Sequence, residues 1–147
     1  MRRDEISTHA RLQSNRVKMA DRFTPLRQAA ERRGRVSEII AAWFLRAKLY
    51  RILGRRVRTR AGEIDLVARS PQGILCFIEV KARRETALAL ESVLPRQQAR
   101  IAHAAELFVA ARPVLARMPV RFDVVTVCPR ALPQHLRDAF RPEARTW

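Results

Sequence analysis

The amino-acid sequence predicts one α/β domain, a small mixed β-sheet with helices packed against it. Three observations carry this expectation. Two apolar stretches, 62–69 and 74–81, are joined by the turn signal Ser70-Pro71-Gln72-Gly73. Two segments with apolar residues at helical spacing, 38–48 and 95–111, flank that hairpin. A further apolar strand at 120–128 follows the second helix. It can pair in parallel with 74–81 only through a crossover, which that helix supplies.

In chain order, residues 1–35 are polar and Arg-rich with little periodicity, and read as a basic, mobile N-terminal arm. Ser37 is an N-cap candidate. From Glu38, the positions Ala41, Ala42, Leu45 and Leu49 keep helical spacing, which predicts a helix ending near Lys48. Glu38 then lies on or beside the apolar stripe, where a carboxylate is unexpected. Trp43 and Phe44 extend the packing surface of this helix, with base stacking as the alternative. Residues 50–59 alternate loosely through Tyr50, Ile52 and, after a bulge at Gly54, Val57. Over 62–69, Ile64, Leu66 and Ala68 fall on one face, with Glu63, Asp65, Val67 and Arg69 on the other. Pro71 presets φ for the turn and Gly73 supplies a positive φ. The strand 74–81 completes an antiparallel hairpin. Residues 82–94 read as a loop. Pro95 opens a helix with Ile101, Ala104, Ala105, Phe108 and Val109 as its apolar set, and Pro113 ends it. In 120–128, Phe122, Val124, Thr126 and Cys128 share a face. A short helix over 134–140 closes a folded domain of 36–141, and 142–147 is a frayed tail. The predicted order is helix, three strands, helix, strand, short helix.

Composition bounds the function. The chain has 147 residues, 48% of them hydrophobic, enough for a core and too many for a wholly disordered chain. No apolar run approaches the roughly 18 residues of a transmembrane helix, so no membrane partner is expected. The first thirty residues hold no apolar h-region of a secretory signal. Cys76 and Cys128 sit in apolar strands and read as buried free thiols in a reducing cytoplasm. Thirty Lys+Arg against fourteen Asp+Glu give a net charge of +16. Such an excess points to phosphate backbones, with anionic lipid second. Only Lys18, Lys48 and Lys81 are lysines. The arginine bias also fits a GC-rich genome, which makes a lysine at a particular place more noticeable.

The pleat gathers the charges. In 74–81, Glu79 and Lys81 fall on the face of Leu75 and Phe77, opposite Ile74, Cys76, Ile78 and Val80. If Asp65 faces the same side, two carboxylates and an ammonium converge at one end of the hairpin, at the margin of a core. Unpaired, each charge there would cost several kcal/mol. Either mutual pairing or a bound cation must offset that cost. Mg²⁺ suits the arrangement, since it takes oxygen ligands and is often held by one or two carboxylates together with phosphate oxygens. Asp65 and Glu79 would be direct ligands, the Val80 carbonyl a third, and Glu38 would reach the ion directly or through water. Lys81 would orient the attacking water, lower its pKa, or balance charge on the phosphate. The plainer alternative leaves Glu79 and Lys81 solvated at a sheet end or paired with neighbouring arginines.

The set Asp65…Glu79-Val80-Lys81, preceded by a helix bearing Glu38, resembles the PD-(D/E)xK nuclease superfamily. Gly62-Glu63-Ile64-Asp65-Leu66-Val67-Ala68, Phe77-Ile78-Glu79-Val80-Lys81-Ala82-Arg83 and Arg121-Phe122-Asp123-Val124-Val125 look like the bacterial YraN family of predicted endonucleases, relatives of archaeal Holliday junction resolvases. The resemblance spans about 34–140. It implies a restriction-endonuclease-like α/β sheet and Glu38, Asp65, Glu79 and Lys81 as the active-site set. It further implies Mg²⁺ or Mn²⁺ as cofactor and hydrolysis of DNA phosphodiesters, branched or structured DNA included. A junction enzyme must cut two strands, which favours a homodimer. Gln97 stands where many relatives have Lys and is a candidate phosphate contact. Leu49 stands where the family often has Gly. Arg83 and Arg84 are phosphate-contact candidates or part of a solvated loop. Glu63 supports the hairpin or pairs with Arg, with a ligand role as the alternative; Asp123 pairs with Arg121 or another Arg ahead of any site role, and His103 takes a surface or boundary position. The rival function is a nucleic-acid-binding module of the same fold without catalysis; a third is an adaptor whose charge serves a protein partner.

Overall fold

The computed structural model describes Pro25, residues 28–82 and residues 93–142. Two units are distinct, Met1–Arg33 and Gly34–Trp147. In the first, Pro25 and 28–33 are helical. The second opens with helix α1, 34–47. Ser37 is therefore inside a helix and does not cap it. Periodicity begins only at Val36, but the Ala, Glu, Gln and Arg of 28–35 are strong helix formers in their own right. The rest of the expected arm at 1–35, nearly all of the loop at 82–94 with Arg83 and Arg84, and the tail at 143–147 lie outside the described residues.

Strands β1 (Arg51–Thr59), β2 (Gly62–Arg69) and β3 (Leu75–Ala82) form an antiparallel meander. Helix α2 (Pro95–Ala110) then crosses over, and β4 (Val120–Val127) pairs in parallel with β3. The five-stranded sheet has the order β1-β2-β3-β4-β5. The last strand, β5 (Gln134–Leu136), is antiparallel to β4, where the sequence suggests a short helix. Burial of His135 against Asp123, described below, fixes this segment as an edge strand. The Ser70–Gly73 turn closes as expected: Gly73 takes a φ of 82° and its amide bonds the Ser70 carbonyl at 3.0 Å. The β1–β2 register shifts between Ile52 and Gly54, the expected bulge.

Each sheet face carries its own core. On one, α2 sets Ile101, Ala104, Ala105 and Phe108 against Val67, Phe77, Phe122 and Val124. On the other, α1 sets Ala41, Ala42 and Leu45 against Leu66, Ala68, Cys76, Ile78 and Val125. The split follows the alternation expected for β3 and β4. Phe44 packs against the second core, but Trp43 does not extend it: Trp43 is 65% exposed, with Arg46 over its ring. Cys76 is buried and Cys128 only half-buried.

Helix α1 ends in a Schellman motif. The Tyr50 amide bonds the Leu45 carbonyl at 3.0 Å and the Leu49 amide bonds Arg46 at 2.9 Å, with Leu49 at a φ of 64°. Leu49 thus leaves the apolar stripe and is 79% exposed. A leucine in the left-handed region is strained, and glycine is not. Leu49→Gly is expected to stabilise the fold by about 1 kcal/mol, read as a higher urea midpoint. A lower midpoint would show that the leucine side chain contributes contacts that outweigh its backbone strain.

Candidate active site

The hairpin positions the candidate residues by a local parting of strands. Regular β2–β3 pairing runs from Arg69↔Leu75 to Leu66↔Ile78. Beyond it, the Val80 amide donates to the Asp65 Oδ2 side-chain oxygen at 2.7 Å. A carboxylate thus takes the place of a ladder carbonyl, and the gap admits groups from both faces. The alternation of β2 slips at the same point. Ile64 packs with Val67 and Phe77, whereas Leu66 and Ala68 pack on the α1 face. Ile64 therefore does not share the face of Leu66, contrary to strict alternation. Across from this stretch, between the pairs Arg55↔Leu66 and Val57↔Ile64, Arg56 of β1 stands opposite Asp65 with a φ of 48°.

Glu79 and Lys81 sit where the pleat puts them, on the α2 side. Lys81 Nζ donates to Glu79 Oε1 at 2.9 Å. Gln97, from the first turn of α2, donates its amide to the same oxygen and accepts from Lys81 Nζ at 3.3 Å. Gln97 is thus a brace between Glu79 and Lys81 in this structure. Both charged side chains are largely buried. Asp65 is half-buried, and its pKa is pushed up to about 7, first by desolvation, then by Glu79 and Glu38; the Val80 amide and Lys81 act against the rise.

Glu38 projects from α1 with its Oε2 buried and without a hydrogen-bond partner; its closest cation is Arg56, whose Nε is 3.8 Å away. Burial raises the Glu38 pKa, and Arg56 opposes that. Among the described residues, no three His, Cys, Asp or Glu side chains come together as a ready metal cage. Asp65 and Glu79 are mutually repelling hard oxygen donors, and Glu38 offers an orphaned carboxylate oxygen nearby. This donor set fits a divalent cation held by two carboxylates and otherwise by water and substrate oxygens.

The Asp65 shift has a stability consequence with a definite sign. Its folded pKa lies above the ordinary 3.8. Its favourable contribution is therefore complete below about pH 4 and is lost as pH rises through about 7. Asp65→Asn is expected to raise the melting temperature by several degrees at pH 8, and by much less at pH 5. An equal change at both pH values would show that Asp65 ionises normally.

A second polar cluster was signalled in the sequence only by Asp123, a charge in an apolar strand. Asp123 is fully buried. Arg121 grips it through Nε at 2.7 Å and Nη2 at 2.8 Å, and the Asp138 amide donates at 2.9 Å. His135 Nε2 meets Oδ2 at 2.9 Å, and Lys48 Nζ meets His135 Nδ1 at 3.1 Å. An ammonium only donates, so Nδ1 accepts and Nε2 carries the proton to Asp123. Arg121 also donates to the Tyr50 hydroxyl at 3.0 Å. Burial alone would raise the Asp123 pKa, but the bonds from His135, Arg121 and the Asp138 amide outweigh it and bring it to about 2. The cluster ties the end of α1 to β4 and β5 on the face opposite Glu79. Nothing in the local sequence pattern marks Lys48 or His135 for it.

Comparison with known proteins shows the family of the chain. The model of the family described as "Uncharacterised protein family UPF0102" matches residues 37–127. The chain belongs to family UPF0102. A UPF0102 protein of Bradyrhizobium sp. strain ORS 278 is 49% identical over 84% of this chain and 86% of its own. One from Maricaulis maris is 50% identical over 82% and 94%, and one from Rhizobium johnstonii 47% over 80% and 96%. UPF0102 is the YraN-like family that the sequence resembles. The UPF0102 match takes in Glu38, Asp65, Glu79, Lys81, Gln97 and Asp123, and stops short of His135. No helix among the described residues is long and apolar enough to cross a membrane.

Proposed function

We propose that this UPF0102 protein is a divalent-metal-dependent endonuclease of the PD-(D/E)xK type that hydrolyses DNA phosphodiesters, with branched or structured DNA among its substrates. The observation that carries the reading is the parted hairpin, where Asp65 and Glu79 repel one another at a core margin with the Lys81 ammonium between core and solvent. Asp65 and Glu79 would hold Mg²⁺ or Mn²⁺, with Glu38 as a further ligand directly or through water. When bound, such an ion would supply Lewis-acid polarisation of the phosphate and activation of the attacking water. Lys81, aligned by Glu79 and Gln97, places a positive charge where the phosphate gains negative charge. The surplus of basic residues draws the nucleic acid in and makes its affinity salt-dependent. Two copies acting together would cut both strands of a junction. A nucleic-acid substrate and the inert Cys76 thiol, its pKa pushed up to about 12 by burial, fit a cytoplasmic protein.

One observation favours a second reading, a binding module without catalysis: Glu79 Oε1 is already engaged by Lys81 and Gln97. Incubating the full chain with supercoiled plasmid and with a four-way junction, in Mg²⁺ or Mn²⁺, separates the two. Nicked or resolved product is expected from the wild type and not from Asp65→Ala, with DNA binding kept by both. Intact DNA under every condition, with binding retained, leaves the binding module.

A further inference from the structure

We infer that Arg56 and Arg58, splayed on the carboxylate of Glu63, form a preorganised clamp for the phosphodiester backbone beside the parted hairpin. This rests on the nucleic-acid part of the reading above and not on cleavage. The two arginines approach different oxygens of one carboxylate: Arg56 Nε to Oε1 at 2.8 Å, Arg58 Nε to Oε2 at 2.9 Å. Both contacts use Nε alone. Each guanidinium keeps its paired Nη donors, the planar fork that matches two phosphate oxygens.

Exposure separates the two arginines from an ordinary buried ion pair. The Arg58 side chain is 77% exposed and that of Arg56 37%. Exposed ion pairs contribute little to stability, so their stabilising effect alone does not account for the arrangement. Arg56 is in the left-handed region, a conformation that costs a non-glycine residue free energy and is found where surrounding structure holds it for a purpose. That backbone turn carries its guanidinium to Glu63 and toward Glu38 at 3.8 Å, directly across the register from Asp65. Arg35 and Arg55 also act electrostatically on Glu38, so the neighbourhood stays rich in positive charge. A phosphate seated on the Arg56–Arg58 fork would lie along the same hairpin that presents Asp65. Glu63 is then a positioning residue: it freezes two flexible side chains before the ligand arrives, which reduces the entropy lost on binding.

The test is fluorescence anisotropy of labelled duplex DNA with the full chain in EDTA, titrated with NaCl. Arg58→Gln and Arg56→Asn, the latter tolerant of a positive φ, are each expected to make the slope of log K against log[salt] shallower by about one. The double variant should lose about two. Arg117→Gln, an exposed arginine elsewhere, should leave the slope unchanged. Glu63→Gln makes the protein more positive yet should weaken binding several-fold at fixed salt, because the fork is no longer aligned. Equal slope losses for Arg117→Gln and the clamp variants, tighter binding by Glu63→Gln, or no DNA binding by the wild type would each overturn the clamp. Plasmid cleavage is scored separately: a chain that binds through the clamp and cuts nothing removes the nuclease reading alone.

Discussion

Asp123→Ala is expected to cost the fold about 3–5 kcal/mol, the loss seen when one partner of a buried ion pair is removed. The carboxylate is fully buried and takes bonds from Arg121, His135 and the Asp138 amide. Alanine would strand the Arg121 guanidinium, itself mostly buried, and would also leave the His135 Nε2 proton without an acceptor. Domains of this size are stable by only about 5–15 kcal/mol, so the variant should sit near the edge of folding. Urea denaturation measures the loss. Asp123→Asn keeps the shape and part of the bonding and should fall between alanine and wild type. A loss under about 1 kcal/mol for alanine would mean that the cluster is neutral overall and that α1 and β5 are held by apolar contacts alone.

On the proposed nuclease reading, Lys81→Ala is expected to lower metal-dependent DNA cleavage by about 10²–10⁴-fold, the range for a positioned group that acts on a proton or charge in the transition state. Its ammonium is largely buried and 2.9 Å from Glu79 Oε1. Its affinity for DNA in Ca²⁺ should change little, because one buried ammonium adds little to a backbone interaction set by many exposed arginines. Lys81→Arg should not rescue the rate. The planar guanidinium is larger, and Glu79 and Gln97 are spaced around a compact ammonium. Cleavage by Lys81→Ala within tenfold of wild type would remove Lys81 from the chemistry.

The parts legible in the sequence are those set by strand and helix periodicity. Alternation along 74–81 puts Glu79 and Lys81 beside Phe77, and the crossover helix puts β4 parallel to β3. What was not legible depends on backbone conformations that side-chain pattern does not encode. A positive φ at Arg56 cannot be read from an arginine, nor can the opposite faces taken by Ile64 and Leu66 or the pairing of Glu63 with Arg56 and Arg58. The same holds for Leu49, whose left-handed φ removes it from the stripe it continues on paper. Three-residue β5 is too short for a period to declare itself, and its place depends on a long-range bond from His135 to Asp123. Glu38 shows a further limit: the sequence marks it as a misplaced carboxylate on an apolar helix, but only the fold brings it near Arg56.

The outer border of the sheet at β1 is also notable for what it repels. A bare strand border templates the docking of another chain, the route to amyloid-like stacking. Here Arg51, Arg55 and Arg58 stand exposed along that border, and the bulge between Ile52 and Gly54 bends it. Like charges facing one another across two such borders would drive the molecules apart, so the protein should stay dispersed at concentrations where a neutral border would begin to polymerise.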